Sequence, residues 1–233
     1  MINRVASSIT LLFLLIAPCL SAQDELPVNP NAELIKGTAF ISYPNYWGSP
    51  WLSGNFLTGE IEFTDGTKVG NIGLRYSSYR DELIYYNTYL QAQIIIDKIS
   101  LKGFSYTDEN GVKRIFRYQH YNNLMGGDRY FEILSDGEIS ILAYRKVDLE
   151  AGDLANVKRG MEYHHSYYFY VYSANKGYSP ININRKSLLS KFSPSKQKLV
   201  RRTLRKNRVL ISDEASFVLA WNLLKDNGIT IDF

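Results

Sequence analysis

Cysteine is almost missing from this chain. The single one, Cys19, falls in an apolar N-terminal run, so the rest of the sequence has no thiol for a disulfide or a thiolate metal site. That excludes a small disulfide-stapled scaffold and leaves stability to a packed core. Histidine is nearly as scarce, at His120, His164 and His165. A metal centre needs three or four converging ligands, and two of these histidines are neighbours on a predicted strand, where adjacent side chains face apart. Neither a metal nor a cofactor is expected. Nucleophile-elbow, Walker and dinucleotide-binding glycine patterns are missing too, so no catalytic residue is assigned. Beyond the N-terminus no apolar run reaches the roughly 20 residues of a membrane span, and no transmembrane helix is expected there.

The N-terminus itself reads "MINR", then "VASSITLLFLLIAPCL", then "SAQ" before "DELPVNP". A basic start, a short apolar stretch and small residues at its end are the layout of a secretory signal peptide over residues 1–22. Cleavage is expected near Ala22, with Leu20 an imperfect match to the small residue preferred there. Pro18 before Cys19 fits a lipidated cysteine poorly, so anchoring by acyl chains is not expected. Residues 23–34 read as a mobile polar leader. The expected location is periplasmic or extracellular. The roughly 210 residues that follow are enough for one domain, or one domain with an appendage.

Aromatic residues are plentiful: 18 Tyr, 11 Phe and 3 Trp. Such side chains suit the pleated faces of strands, and strand signals dominate residues 35–176. In "GEIEFTDGTKVGNIGLRY", Ile61 and Phe63 alternate with Glu60 and Glu62, and Asp65-Gly66 supplies a tight hairpin turn. Val69 is out of phase with Ile72, Leu74 and Tyr76, which predicts a bulge at Gly70. Asn110-Gly111 and Asp136-Gly137 repeat the turn chemistry, and a second phase break falls at Gly103. In "MEYHHSYYFYVYS", Tyr163, Tyr167, Phe169 and Val171 share one face, and His164, Tyr168, Tyr170 and Tyr172 the other. Residues 121–128 and 148–160 read as loops, the second with room for a helical turn.

After residue 176 the apolar period shifts from two toward 3.6, which predicts a helical segment over 177–233 packed on the strands. Asn184 is placed to cap a short helix holding Leu188, Leu189 and Phe192. Ser193-Pro194 is placed to start a second helix, with Leu199, Val200 and Leu204 on one side. Ser212 precedes a third, with Phe217, Val218, Trp221 and Leu224 as its stripe and Gly228 as its stop. The fold class expected is α+β: a mainly antiparallel β meander, as a twisted sheet or open barrel, followed by two or three short C-terminal helices.

"GSPWLSGNFLTGEIEFTDG" followed by "LRYSSYRDELIYY", with the lysine-rich helices near the C-terminus, resembles a group of uncharacterised exported bacterial β-rich proteins. The shared pattern is an aromatic after Gly-x-Pro, Phe-x-x-Gly, a strand, Asp/Asn-Gly, and Leu-Arg-Tyr before a short turn and Glu. It spans residues 48–86 and 184–228, with Ser77 where Asn or Asp is commoner. The resemblance implies export and a β-rich fold, and it implies no activity.

Three places could carry function. Arg75, Asp81 and Glu82 look reactive, but adjacent Asp81 and Glu82 cannot easily aim at one atom, and a structural Arg75–Glu82 pair across the hairpin is the simpler reading. The loop "YPNYWGSPWLSGNF" sets Tyr43, Tyr46, Trp47, Trp51 and Phe56 among Pro, Gly and Asn. Flat rings there could stack on sugars or take a partner's apolar side chain, or Trp51 and Phe56 could close the end of the sheet. Residues 185–208 hold ten Lys or Arg and no acid, and Lys196, Lys198, Arg201, Arg202 and Arg205 are candidates for contact with an anionic partner. Such a run can also be a solvated helix face.

The expectation is an exported envelope or secreted protein that binds a ligand or partner through its aromatic loop or a sheet face and is not a catalyst. A glycan, a lipid or an envelope protein is the candidate partner, and nucleic acid is not expected. The alternatives are a glycan or peptide hydrolase using dispersed carboxylates or histidines, and a structural protein that meets anionic lipid or glycan through its basic helices.

Overall fold

Glycine turns fold the chain back on itself where the sequence predicts. Gly66 and Gly111 sit at φ 88° and 76°, the left-handed backbone that tight hairpins need and that a Cβ disfavours. A computed structural model describes residues 35–120, 127–154 and 157–232 of the protein. The signal-peptide, leader and Cys19 readings lie outside the described residues, as does most of the 121–128 loop.

The chain forms β1 (Gly37–Ala39), β2 (Trp47–Gly48), β3 (Leu57–Phe63), β4 (Lys68–Ser77), β5 (Glu82–Asn87) and β6 (Ala92–Ile96). Then come β7 (Leu101–Thr107), β8 (Lys113–Gln119), β9 (Arg129–Ser135), β10 (Ile139–Leu154), β11 (Val157–Ser173) and β12 (Gly177–Ile181). Helices α1 (Arg185–Leu189), α2 (Pro194–Lys206) and α3 (Glu214–Asp226) follow. This is an α+β fold, a mostly antiparallel sheet of 12 strands that does not close, followed by three helices.

The sheet is two meanders rather than one. Its order is β1-β6-β5-β4-β3-β7-β8-β9-β10-β11-β12, so β3 to β6 run one way and β7 returns to pair with β3. In a flat sheet, four steps of about 4.8 Å separate β6 from β7. Only residues 97–100 connect them, three of those in a 3-10 turn. So short a link can join them only if the sheet curls. The curled face encloses Ile61, Leu74, Tyr76, Leu83, Phe104 and Phe116, with Phe104 stacked on Phe116 at 4.6 Å between ring centres. The two predicted phase breaks are register shifts: Gly70 and Asn71 oppose Glu60 alone, and Lys102 slips beside Gly103. Such bulges bend a strand and raise its twist.

The stretch 37–48 ties the curl together. β1 pairs with β6 at one end of the sheet order, and β2 pairs in parallel with β11 toward the other. Within the predicted loop 148–160, residues 148–154 and 157–160 are strand. β10 and β11 pair residue for residue from Ile139↔Ser173 to Gly152↔Gly160, and this cross-strand pairing holds an otherwise polar stretch extended. β12 carries the sheet past residue 176, to Ile181.

The helices cover one face of the last strands. Val200, Leu204, Phe217, Trp221 and Leu224 pack with Ile141, Val171 and Ile181. On the opposite face Phe131, Leu142 and Tyr144 pack with Tyr170, Tyr172 and Tyr178, so the C-terminal half of β11 is packed on both faces. Asn184 caps α1 through Ser187 N–H. Three details differ from the sequence reading. Leu199 is 49 % exposed rather than part of the buried stripe. The Ser193 side chain makes no cap bond, while Pro194 still opens α2. Asp213, not Ser212, caps α3, in a reciprocal pair with Ser216; a carboxylate there also meets the positive end of the helix dipole.

Candidate functional site: an aromatic groove with an arginine floor

The site begins with backbone. Phe40 N–H donates to the Gln93 carbonyl at 2.9 Å, and Tyr79 N–H to the Pro50 carbonyl at 3.2 Å. His165 Nε2–H donates to the Ser49 carbonyl at 2.8 Å. Gly48, at φ 77°, lets β2 lie against β11: a Cβ there would fall 2.7 Å from the Tyr163 carbonyl oxygen. Residues 40–51 are thereby stretched across β5–β6 on one side and β11 on the other, and their side chains wall an open groove of about 330 Å³.

Its rings form a connected set. Tyr43 lies 5.3 Å from Trp51 and 5.7 Å from Tyr79, Tyr79 lies 5.2 Å from Tyr163, and Tyr46 completes the row at 6.0 Å from Tyr163. Offset and edge contacts of this kind suit the aromatic quadrupole. Tyr163 also donates its hydroxyl proton to the Pro44 carbonyl at 3.1 Å. Two cations sit against the row. The Arg75 guanidinium carbon is 4.0 Å from the Trp51 ring centre, and that of Arg80 is 5.2 Å from the Tyr43 ring centre, within the range of cation–π attraction. Arg75 donates through Nε to the Ser53 carbonyl at 3.4 Å. Among the described residues neither arginine has a carboxylate within salt-bridge distance. Burial pulls the Arg75 guanidinium below its ordinary value.

Of the four predicted ligand-binding residues, Tyr43, Tyr46 and Trp51 line the groove. Trp47 is 58 % exposed and stands outside the lining, because alternate residues of an extended segment point opposite ways. Phe56 lies at the far side of Arg75, 5.9 Å from its guanidinium carbon, and packs on Tyr86. Sequence reasoning did not reach Phe40, Gln93 or Tyr163. The last is more than a hundred residues away in sequence, and only the β2–β11 register brings it in.

The hairpin "LRYSSYRDEL" does not hold the expected Arg75–Glu82 pair. The register sets Arg75 opposite Ile84 and Ser77 opposite Glu82. Its three charged groups go to three places. Arg75 faces the groove. The Glu82 carboxylate accepts from the Tyr43 hydroxyl at 2.9 Å, with the Ser77 hydroxyl at the same distance from the phenol oxygen. Burial, and then that carboxylate, push the Tyr43 hydroxyl well above its ordinary value. Asp81, left-handed at φ 55°, turns inward, where it accepts from Tyr76 Oη at 2.5 Å, from Tyr130 N–H at 3.3 Å and from Lys98. Burial pushes its carboxyl up, and Lys98 opposes that shift. The cluster joins the β4–β5 turn, the β6–β7 link and β9.

The basic residues divide as well. Lys196 pairs with Asp232 at 2.6 Å. Lys198, Arg201, Arg202 and Arg205 are exposed on α2, and Arg201 and Arg205 line an open groove with α1. Among the described residues no group of three or more His, Cys, Asp or Glu could hold a metal ion. No helix among them is long and apolar enough to cross a membrane.

The fold and groove together define an α+β protein with an open curled sheet and an aromatic surface site. No family model, curated protein or solved structure matches the chain.

Proposed function

We propose that this is an exported, non-catalytic binding protein whose aromatic groove takes an acidic glycan. The observation that carries the proposal is Arg75, stacked on Trp51 without a carboxylate partner among the described residues, at the floor of a groove walled by tyrosines. Flat rings offer faces to the C–H surfaces of sugars. An unneutralised guanidinium offers a fork that matches a carboxylate with two parallel hydrogen bonds. The groove volume of about 330 Å³ suits one or two sugar units, at the small end of ligand sites. The glycan- or peptide-hydrolase alternative has less support, since no Asp or Glu among the described residues lines the groove and acid–base hydrolysis of a glycosidic bond uses two facing carboxylates.

Export belongs to the same proposal and rests on the N-terminal signal pattern and on the resemblance to exported β-rich proteins. The mature N-terminus, read by mass spectrometry, checks it.

Calorimetric titration with uronate oligosaccharides and with neutral oligosaccharides of equal length tests the groove. Binding of the uronates, lost in Arg75→Gln and Trp51→Ala, is the expected result. Equal affinity of the wild type for neutral and uronate chains, or full uronate affinity in Arg75→Gln, would remove the acidic-glycan reading.

A further inference from the structure

We propose a second binding site, for a multivalent phosphate-bearing anion, in the groove between α1 and α2. Arg185 and Lys186 line it from α1, and Arg201 and Arg205 from α2. Ser190 and Gln197 add hydrogen-bonding groups to an open space of about 660 Å³ that no carboxylate among the described residues lines. Among the described residues none of these four cations has an acid within salt-bridge distance.

Two neighbouring lysines are held elsewhere: Lys196 bonds Asp232, and Lys191 donates to the Ser179 hydroxyl. The four groove cations differ from the exposed Lys198 and Arg202 in that two helices bring them to one concave surface. Arg201 and Arg205 stand one turn apart, where like charges destabilise a helix. No acid in α2 offsets them, although the rest of the chain carries more acidic than basic residues. The cations are also held in place. Val200 and Leu204 lock α2 into the helical core, and Leu188 and Leu189 lock α1, so binding need not order a loose segment.

The chemistry selects the ligand. Arginine forks match phosphate oxygens in pairs, and a phosphate group carries up to two charges in a small volume. A single small anion would leave most of the four cations unpaired, whereas a chain or array of phosphates fills the groove. A soluble polyphosphate and the headgroups of an anionic lipid surface share this chemistry.

Calorimetry with tripolyphosphate and co-sedimentation with vesicles of phosphatidylcholine containing phosphatidic acid test it at low salt, on the whole chain. The expected result is binding by at least one of the two, weakening steeply as salt screens the charges. Binding of tripolyphosphate alone assigns a soluble source, and binding of vesicles alone assigns the headgroup. Arg201→Gln/Arg205→Gln and, separately, Lys186→Gln should each lower affinity, the double variant by at least 30-fold, with circular dichroism unchanged. Arg202→Gln, outside the groove, should stay within two-fold of the wild type. Binding of neither probe, equal binding of citrate, or full affinity in the double variant would overturn the proposal.

Discussion

Arg75 sits over Trp51, 4.0 Å from guanidinium carbon to ring centre. The ring belongs to the crossing segment and the arginine to β4, so this contact joins the groove wall to the sheet. The two residues therefore separate binding from stability. Arg75→Gln removes the contact with Trp51, a longer one with Phe56 and the hydrogen bond to the Ser53 carbonyl and should cost about 1–2 kcal/mol of stability, measured by urea denaturation, while uronate affinity falls at least ten-fold. Trp51→Ala also strips ring contacts from Phe40 and Tyr43 and should cost about 1–3 kcal/mol. If Arg75→Gln leaves uronate affinity unchanged, the arginine is a structural brace only.

Trp47 offers the control. Exposed and outside the lining, its replacement by Ala should shift stability by no more than about 0.5 kcal/mol and affinity by less than two-fold. A large loss of binding would mean that the ligand reaches beyond the groove rim.

Gly48→Ala is expected to be more damaging than its size suggests. It adds a Cβ against the Tyr163 carbonyl and forces a non-glycine residue to φ 77°. Strain of this kind costs about 1–3 kcal/mol. Because it acts on the β2–β11 contact, faster amide exchange should appear at residues 47–51 before the rest of the sheet. Wild-type exchange in that segment would refute the close-approach role.

Arg145 ties the sheet to the helices. It is buried, donates Nε to Glu132 at 2.6 Å, and forks onto Glu214 at 2.8 and 2.6 Å in the first turn of α3. Arg114 supplies a second donor to Glu132 at 2.9 Å. Removing one member of a buried charge pair costs about 3–5 kcal/mol because the other is stranded. Arg145→Met should show a loss near that range in urea denaturation. Glu214→Gln should lose less, since Glu214 is partly exposed. Equal losses would mean that Glu132 contributes nothing to the network.

Asp232 gives a pH dependence with a defined sign. The Lys196 ammonium, and then Ser193 N–H, hold its carboxyl down at about 2, against about 3.9 for a free aspartate. A depressed folded value means stability that is present above the unfolded value and lost as pH falls through the folded one. Wild type should therefore melt higher than Asp232→Asn at pH 6, and the two melting temperatures should converge between about pH 4 and pH 2. A difference that persists unchanged at pH 2 would show that the carboxylate is not its source.

Much of this architecture is written locally. Asp65-Gly66 and Asn110-Gly111 turn the chain because glycine alone enters left-handed backbone freely. The phase of Val69 against Ile72 marks the Gly70 bulge, and Asn184 and Pro194 mark helix starts, because each acts within a few residues of itself. The charge pattern likewise exposes the basic run of 185–208 without any coordinates.

Pairing between distant strands is another matter. Nothing near residue 163 signals that Tyr163 meets Tyr46, or that β7 leaves β6 to join β3. Those contacts follow from the curl of the whole sheet and the register it imposes. The same register sends Arg75 and Glu82 to different partners, Trp51 and Tyr43, because one position along β4 decides which residue stands opposite. Local sequence determined the turns, bulges, caps and charge of this protein, through short-range sterics and hydrogen bonding. Only the tertiary structure decided which rings wall the groove and which arginines are left without an acid, since both depend on long-range packing that no single segment contains.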